Sequence, residues 1–129
     1  ADPTYADVLG DVHAFLSAAR DTALAAGVPA GALLVDPGIG FGKTLDHNLA
    51  LLANLERFET LGPIVVGLSR KSMLGALLGE RATDKRLAAG LGGAVWSALA
   101  GARLIRTHDV GPTVDALHIA WSIRGNRVA

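Results

Sequence analysis

Three short stretches of this chain place chemically capable side chains directly after apolar runs. Ile64-Val65-Val66 feeds into Gly67-Leu68-Ser69-Arg70-Lys71-Ser72, Leu33-Leu34-Val35 ends in Asp36, and Leu104-Ile105 ends in Arg106 and His108. An apolar run bounded by Gly62-Pro63 reads as a buried strand. A strand end that releases Ser, Arg and Lys together sets donors and positive charge at one spot. Three such ends, joined by helices, are how open and closed α/β sheets build a site at the carboxyl ends of their strands.

Asp36-Pro37-Gly38-Ile39-Gly40-Phe41-Gly42-Lys43-Thr44 has the look of a phosphate loop but not its spacing. A Walker A loop needs glycine where Pro37 stands, and the glycines fall as GxGxG rather than the GxGxxG of dinucleotide binding. Its physical content is different. Asp36 ends a strand, Pro37 stiffens the exit, and the glycines let backbone approach a ligand closely. Asp36 then offers a carboxylate to the N–H groups of a neutral heterocycle; the plain alternative is a solvated turn that Asp36 caps. In Ser69-Arg70-Lys71, period-two geometry puts Ser69 and Lys71 on one side and Arg70 on the other. Ser69 and Lys71 are the site candidates, and Arg70 is expected to brace neighbouring loops. Arg106 and His108 share a face by the same alternation. A guanidinium and an imidazole aimed into one mouth suit phosphate or pyrophosphate; the alternative is a buried Arg–Asp pair beside a core histidine. His13 and His118 read as ordinary mid-helix positions and His47 as an exposed helix residue. The four histidines lack zinc-site spacing. Trp96 and Trp121 read as packing residues.

The elements that must position these groups follow from periodicity. Asp2-Pro3 reads as a helix start, with Tyr5, Val8, Leu9, Val12, Phe15, Leu16 and Ala19 at helical spacing and a stop near Gly27. A strand is expected over 33–36 and a glycine-rich loop over 37–43. A second helix follows over 44–61, with Leu45, Leu49, Leu52 and Phe58 on one face. Then come a strand over 64–68, a short helix over 72–78 and a polar connector over 79–84. The helix expected over 85–100 is rich in small residues; glycine there costs roughly 1 kcal/mol relative to Ala, so close packing is expected against a sheet or a second subunit. A strand over 103–107 and a helix opened by Pro112, with Val114, Leu117 and Trp121 inward, complete the order α-β-α-β-α-β-α. Continuous apolar strands and a repeat of a little over 30 residues fit parallel βαβ units. Three strands leave two open sheet edges, and a (β/α)8 barrel takes about 250 residues; the chain reads as the second half of something.

Bulk composition narrows the partners. The 129 residues, half of them hydrophobic, suffice for one domain with a core. Twelve basic and twelve acidic residues cancel, so no global charge points to nucleic acid or an anionic membrane. The chain has no cysteine, which excludes disulfides and thiolate chemistry and favours a cytoplasmic setting. No apolar run approaches a membrane span, and the start lacks the basic-then-apolar order of a signal peptide. The first residue is Ala rather than Met, as in a processed or partial chain.

Val35-Asp36-Pro37-Gly38-Ile39-Gly40-Phe41-Gly42-Lys43, Val66-Gly67-Leu68-Ser69-Arg70-Lys71-Ser72-Met73-Leu74-Gly75 and Arg106-Thr107-His108-Asp109-Val110, in this order, resemble the dihydropteroate synthase family, the folate-pathway enzymes that sulfonamides inhibit. The resemblance runs over essentially all of residues 1–129. It implies the C-terminal half of a (β/α)8 barrel, from the helix after strand five through helix eight, incomplete without the N-terminal half. The family joins 6-hydroxymethyl-7,8-dihydropterin pyrophosphate to p-aminobenzoate and releases pyrophosphate. By resemblance, Asp36 hydrogen-bonds the pterin, Lys71 orients it near the aminobenzoate, and Phe41, Gly67 and Ser69 belong to the substrate pocket. Arg106 flanks the pterin and His108 binds pyrophosphate, so Lys71, Arg106 and His108 are the expected catalytic groups. The resemblance also implies a magnesium ion held by the pyrophosphate and the N-terminal half, with no metal ligand among these residues. It places two mobile loops and further pterin contacts in that half too, and implies a cytoplasmic homodimer through the late barrel helices. The chain alone is expected to be inactive. A pterin-binding methyltetrahydrofolate methyltransferase domain is a rival reading that Ser69-Arg70-Lys71 speaks against; a non-catalytic half-barrel scaffold is the other.

Overall fold

Asp7 starts the first helix: its carboxylate accepts the Gly10 N–H at 3.1 Å, and α1 runs Val8–Ala25. The computed structural model describes residues 6–69, 71–79 and 86–128. The Asp2-Pro3 start, Tyr5, Arg70, Lys85 and most of the polar connector lie outside these. Acidic N-caps satisfy orphan N–H groups and suit the helix dipole, which is why α1 begins at Asp7. The elements that follow are α2 (Leu45–Ala53), β1 (Ile64–Gly67), α3 (Ser72–Leu78), α4 (Leu87–Leu99), β2 (Ala102–Arg106) and α5 (Val110–Arg124).

β1 and β2 pair in parallel, Val65 against Leu104 through Gly67 against Arg106. The strand expected over 33–36 is reduced to a single parallel bridge from Val35 to Ile64, through Val35 N–H to Pro63 O and Val65 N–H to Val35 O, both 2.8 Å. Pro37, which has no N–H to give, and the turn at Gly38 cut it short. The order Val35–β1–β2 is nonetheless the consecutive parallel order of a barrel segment, and all three chains point their carboxyl ends the same way.

The core lies beneath β1. All four β1 residues are buried, and Ile64 and Val66 join Leu51, Leu52, Leu55, Phe58 and Leu61 in the core. The continuous second helix expected over 44–61 breaks at Asn54. Leu55–Leu61 tightens into a 3₁₀ turn, and the inward face becomes 48, 51, 52, 55 and 58, leaving Leu49 exposed. Phe15 of α1 is likewise exposed rather than inward. The small-residue helix packs on the sheet side through Ala94, Ser97 and Ala98. Gly93 is the glycine that packing explains, because a Cβ there would meet Leu68 Cδ1 at 2.6 Å; Gly90 and Gly92 face open space.

The far side of the sheet departs most from expectation. Leu104 is 50% exposed, and Val114 (57%) and Trp121 (45%) are exposed where inward packing was expected. Thr113 is the buried residue of α5. Among the described residues β2 has no strand on its outer side, so the apolar face of α5 lines an open cavity of about 770 Å³. Trp96 is also exposed, but its indole N–H donates to Leu52 O at 3.0 Å and ties α4 to the end of α2.

Candidate functional site

The glycine loop after Val35 is held by side chains at each turn. Gly38 N–H donates to Asp36 Oδ1 and Gly40 N–H to Asn48 Oδ1, both at 2.8 Å. Lys43 Nζ donates to Gly38 O at 2.9 Å and Phe41 O at 3.0 Å. Lys71 Nζ donates to Ile39 O at 2.7 Å and sits 4.0 Å from the centre of the Phe41 ring, a cation–π contact. Gly40 is required twice: its φ of +87° is left-handed, and a Cβ would lie 3.0 Å from Lys71 Cδ.

Arg106 leaves the end of β2 and crosses the end of β1 to reach Asp36, with Nη1 3.2 Å from Oδ2. The crossing is possible because residue 67 has no side chain. A Cβ on Gly67 would stand 2.8–3.0 Å from the Arg106 guanidinium. One Asp36 oxygen caps the loop, as the plain alternative had it, and the other holds a guanidinium, a partner the sequence did not point to. The Arg–Asp pair is not buried, since its side chains are 56% and 37% exposed, and the partner is Asp36.

Ser69 and His108 form a second contact. Ser69 Oγ accepts the His108 backbone N–H at 3.0 Å and lies 3.0 Å from Nδ1. The imidazole tautomer sets the direction of this second contact: in the tautomer where Nδ1 accepts the Ser69 hydroxyl, Nε2 carries the ring hydrogen. His108 is exposed rather than a core histidine.

The period-two alternation therefore stops beyond Gly67. Lys71 N–H donates to Leu68 O at 3.1 Å, a turn rather than extended chain. Ser69 goes to His108 and Lys71 to the glycine loop; Arg106 and His108 likewise reach different partners. Burial lowers the Lys71 amine below its usual range, Arg106 and Lys43 push it the same way, and Asp36 opposes them. Burial lowers Lys43 too, again against Asp36.

His47 is not a plain exposed helix residue. It closes a capping box at the start of α2: its N–H donates to Thr44 Oγ1 and its Nδ1 accepts the Thr44 N–H, both 3.2 Å. His13 is half-buried with its ring 5.9 Å from that of Phe58, and His118 is exposed. Sequence reasoning passed over Lys43, Asn48 and Arg86, whose Nη1 donates to Lys71 O at 3.3 Å. A buried Asn inside an apolar helical stripe was the one available signal.

These strand ends define a class: a segment of parallel α/β barrel whose described loops bring Lys43, Lys71, Arg106, Asp36 and the Phe41 ring together. That set suits a planar hydrogen-bonding heterocycle that carries an anionic group. Residues 1–108 match the pterin-binding enzyme family, and the chain belongs to it. A dihydropteroate synthase from Haemophilus influenzae is 42% identical over 127 residues, 98% of this chain and 46% of that protein. A crystal structure of dihydropteroate synthase from Stenotrophomonas maltophilia, with imidazole in the active site, superposes with TM-score 0.96 at 43% identity. The match covers 99% of this chain and 49% of that one. The Xanthomonas albilineans enzyme in complex with 7,8-dihydropteroate gives 0.94 at 40% identity, covering 98% and 50%. The chain spans about half the length of the curated relatives it matches, and its fold is the matching part of their α/β barrel.

Proposed function

We propose that residues 1–129 are the C-terminal part of a single pterin-binding barrel domain of dihydropteroate synthase. The reaction joins 6-hydroxymethyl-7,8-dihydropterin pyrophosphate to p-aminobenzoate, giving 7,8-dihydropteroate and pyrophosphate. The observation that carries this reading is the convergence of three strand-end side chains: Arg106 crosses Gly67 to reach Asp36, and Lys71, against Phe41, lies within electrostatic reach of both.

Each side chain has capacity left for substrate. A carboxylate has about four acceptor sites; Asp36 uses one per oxygen, so both oxygens can still accept pterin N–H groups. Arg106 spends one donor on Asp36 and presents the remainder of its fork to an anion. Lys71 lies between the heterocycle and the Phe41 ring, where it orients the pterin, and Phe41 and Ser69 border the aminobenzoate. His108 offers its Nε2–H to the pyrophosphate. In the reaction the bond from the pterin methylene to the pyrophosphate oxygen breaks, and its electron pair leaves with the pyrophosphate. The aniline nitrogen forms the new C–N bond and sheds a proton to solvent. Such chemistry needs charge stabilisation on the leaving group more than a strong base. Arg106 and His108 supply it.

Magnesium is implied by the family. Among the described residues no three His, Cys, Asp or Glu side chains gather, and Asp36 is committed to Arg106. The described residues do not make a magnesium site; the ion would be held by the pyrophosphate and by groups outside this chain. The same reading makes the enzyme a cytoplasmic homodimer through α4 and α5 and a target of sulfonamides.

The test joins this chain to the N-terminal half of the Stenotrophomonas maltophilia enzyme and measures product by chromatography. The joined protein is expected to form 7,8-dihydropteroate and to be inhibited by a sulfonamide, whereas this chain alone forms none. A folded joined protein without product, or turnover by this chain alone, contradicts the reading.

A further inference from the structure

Lys43 takes no part in the substrate contacts assigned above, yet it is tied into the site more closely than a solvated lysine. Its ammonium bridges two carbonyls of the same loop, Gly38 O at 2.9 Å and Phe41 O at 3.0 Å. Between them lies Ile39 O, which holds Lys71 at 2.7 Å. Asn48, 3% exposed, accepts the Gly40 N–H of the same loop. Three carbonyls of one short loop thus converge on two ammonium groups. Lys43 ties the two ends of the turn together, and Lys71 and the Phe41 ring meet on it. Phe41 is 63% exposed and has little packing of its own, so its place over the Lys71 ammonium at 4.0 Å depends on its backbone. That backbone is what Lys43 holds. Partial burial lowers the Lys43 amine below its usual range, against the opposing pull of Asp36.

We infer that Lys43 is a positioning residue: by clamping the Gly38 and Phe41 carbonyls it holds the Phe41 ring and the Lys71 ammonium together as one preformed wall of the aminobenzoate pocket. The catalytic consequence rests on the function proposed above; the geometric one does not. A displaced aromatic wall weakens the second substrate without altering how pyrophosphate leaves. Misplacement of a binding group by about 1 Å costs up to roughly a hundredfold.

The experiment has two arms. In the first, 4-fluorophenylalanine replaces the three phenylalanines of this chain, and fluorine NMR compares the parent with Lys43→Met and Lys43→Arg. Phe58, fully buried, reports on the core and Phe41 on the loop. The expected result is a Phe41 signal that moves to the solvent value in Lys43→Met and stays in Lys43→Arg, with Phe58 unmoved in both. An unmoved Phe41 signal in Lys43→Met overturns the inference. Loss of the Phe58 signal also overturns it, since Lys43 would then serve folding in general. In the second arm the joined enzyme carries Lys43→Met. The KM for p-aminobenzoate is expected to rise roughly tenfold to a hundredfold, with the KM for the pterin substrate unchanged. Equal effects on both overturn the specific role. If the parent joined enzyme shows no turnover, the proposed function fails, while the fluorine arm still decides what Lys43 does.

Discussion

Gly67→Ala isolates the feature on which the site geometry turns. The added methyl would meet Arg106 Nη2 at 2.8 Å, Nε at 2.9 Å and Cζ at 3.0 Å, against ordinary contacts that begin at 3.4 Å. Something must therefore retreat by about 0.6 Å. The obstacle is the far end of a flexible side chain rather than backbone, so the guanidinium moves and β1 does not. Its 3.2 Å contact with Asp36 is lost. Both partners are partly exposed, and such a pair contributes about 0–1 kcal/mol to stability. Ala in a strand also recovers about 0.5–1 kcal/mol of the entropy that Gly costs, so the net change in unfolding free energy is within about 1 kcal/mol. Binding responds differently. A ligand that uses the Asp36–Arg106 pair loses one charge-assisted hydrogen bond, about 1.5–3 kcal/mol, which is roughly a tenfold to hundredfold loss of affinity. Urea denaturation of this chain and titration calorimetry of a pterin analogue into the joined barrel measure the two quantities. Intact affinity with intact stability would refute the crossing of Arg106 over Gly67. A loss of stability well beyond 1 kcal/mol would show that the strand, not the side chain, gives way.

Ser69→Ala removes the acceptor of the His108 N–H and the partner of Nδ1. It is expected to raise the KM for the pterin pyrophosphate while leaving that for p-aminobenzoate within about twofold, and equal effects on both would refute the pairing. Stability also depends on Lys71. Its folded-state amine titrates below the 10.5 of an ordinary lysine, through burial first and then Arg106. Between the folded value and 10.5 the unfolded chain binds more protons, so stability rises as pH rises through that window. The rise is expected to be shallower in Lys71→Met than in the parent by urea denaturation at pH 8 and pH 10; parallel curves would contradict the burial of the amine.

The strand ends were legible because the sequence marks them twice, by an apolar run and by the polar group that ends it. Asp36, Lys71 and Arg106 were found that way, and their parallel order follows from βαβ spacing. What alternation could not supply was direction after the strand stops. Once Lys71 N–H bonds back to Leu68 O the period of two ends, and Ser69 and Lys71 part. Lys43 and Asn48 escaped because they bind backbone rather than one another, and carbonyl orientation in a glycine loop leaves no trace in side-chain pattern. His47 was misread for a related reason: an imidazole can close a capping box in place of Glu or Gln, which the usual signature omits. The outward face of α5 is a different kind of miss. Val114 and Trp121 carry an inward pattern, but the surface that would receive them is not among the described residues, so the pattern is met by the open cavity beside β2.

Calorimetry of a pterin analogue binding to the barrel joined from this chain and the Stenotrophomonas maltophilia N-terminal half tests the central claim most directly, with and without Asp36→Ala. Saturable binding is expected for the parent and none for Asp36→Ala, with urea denaturation showing both folded. Unchanged affinity in Asp36→Ala would contradict that claim.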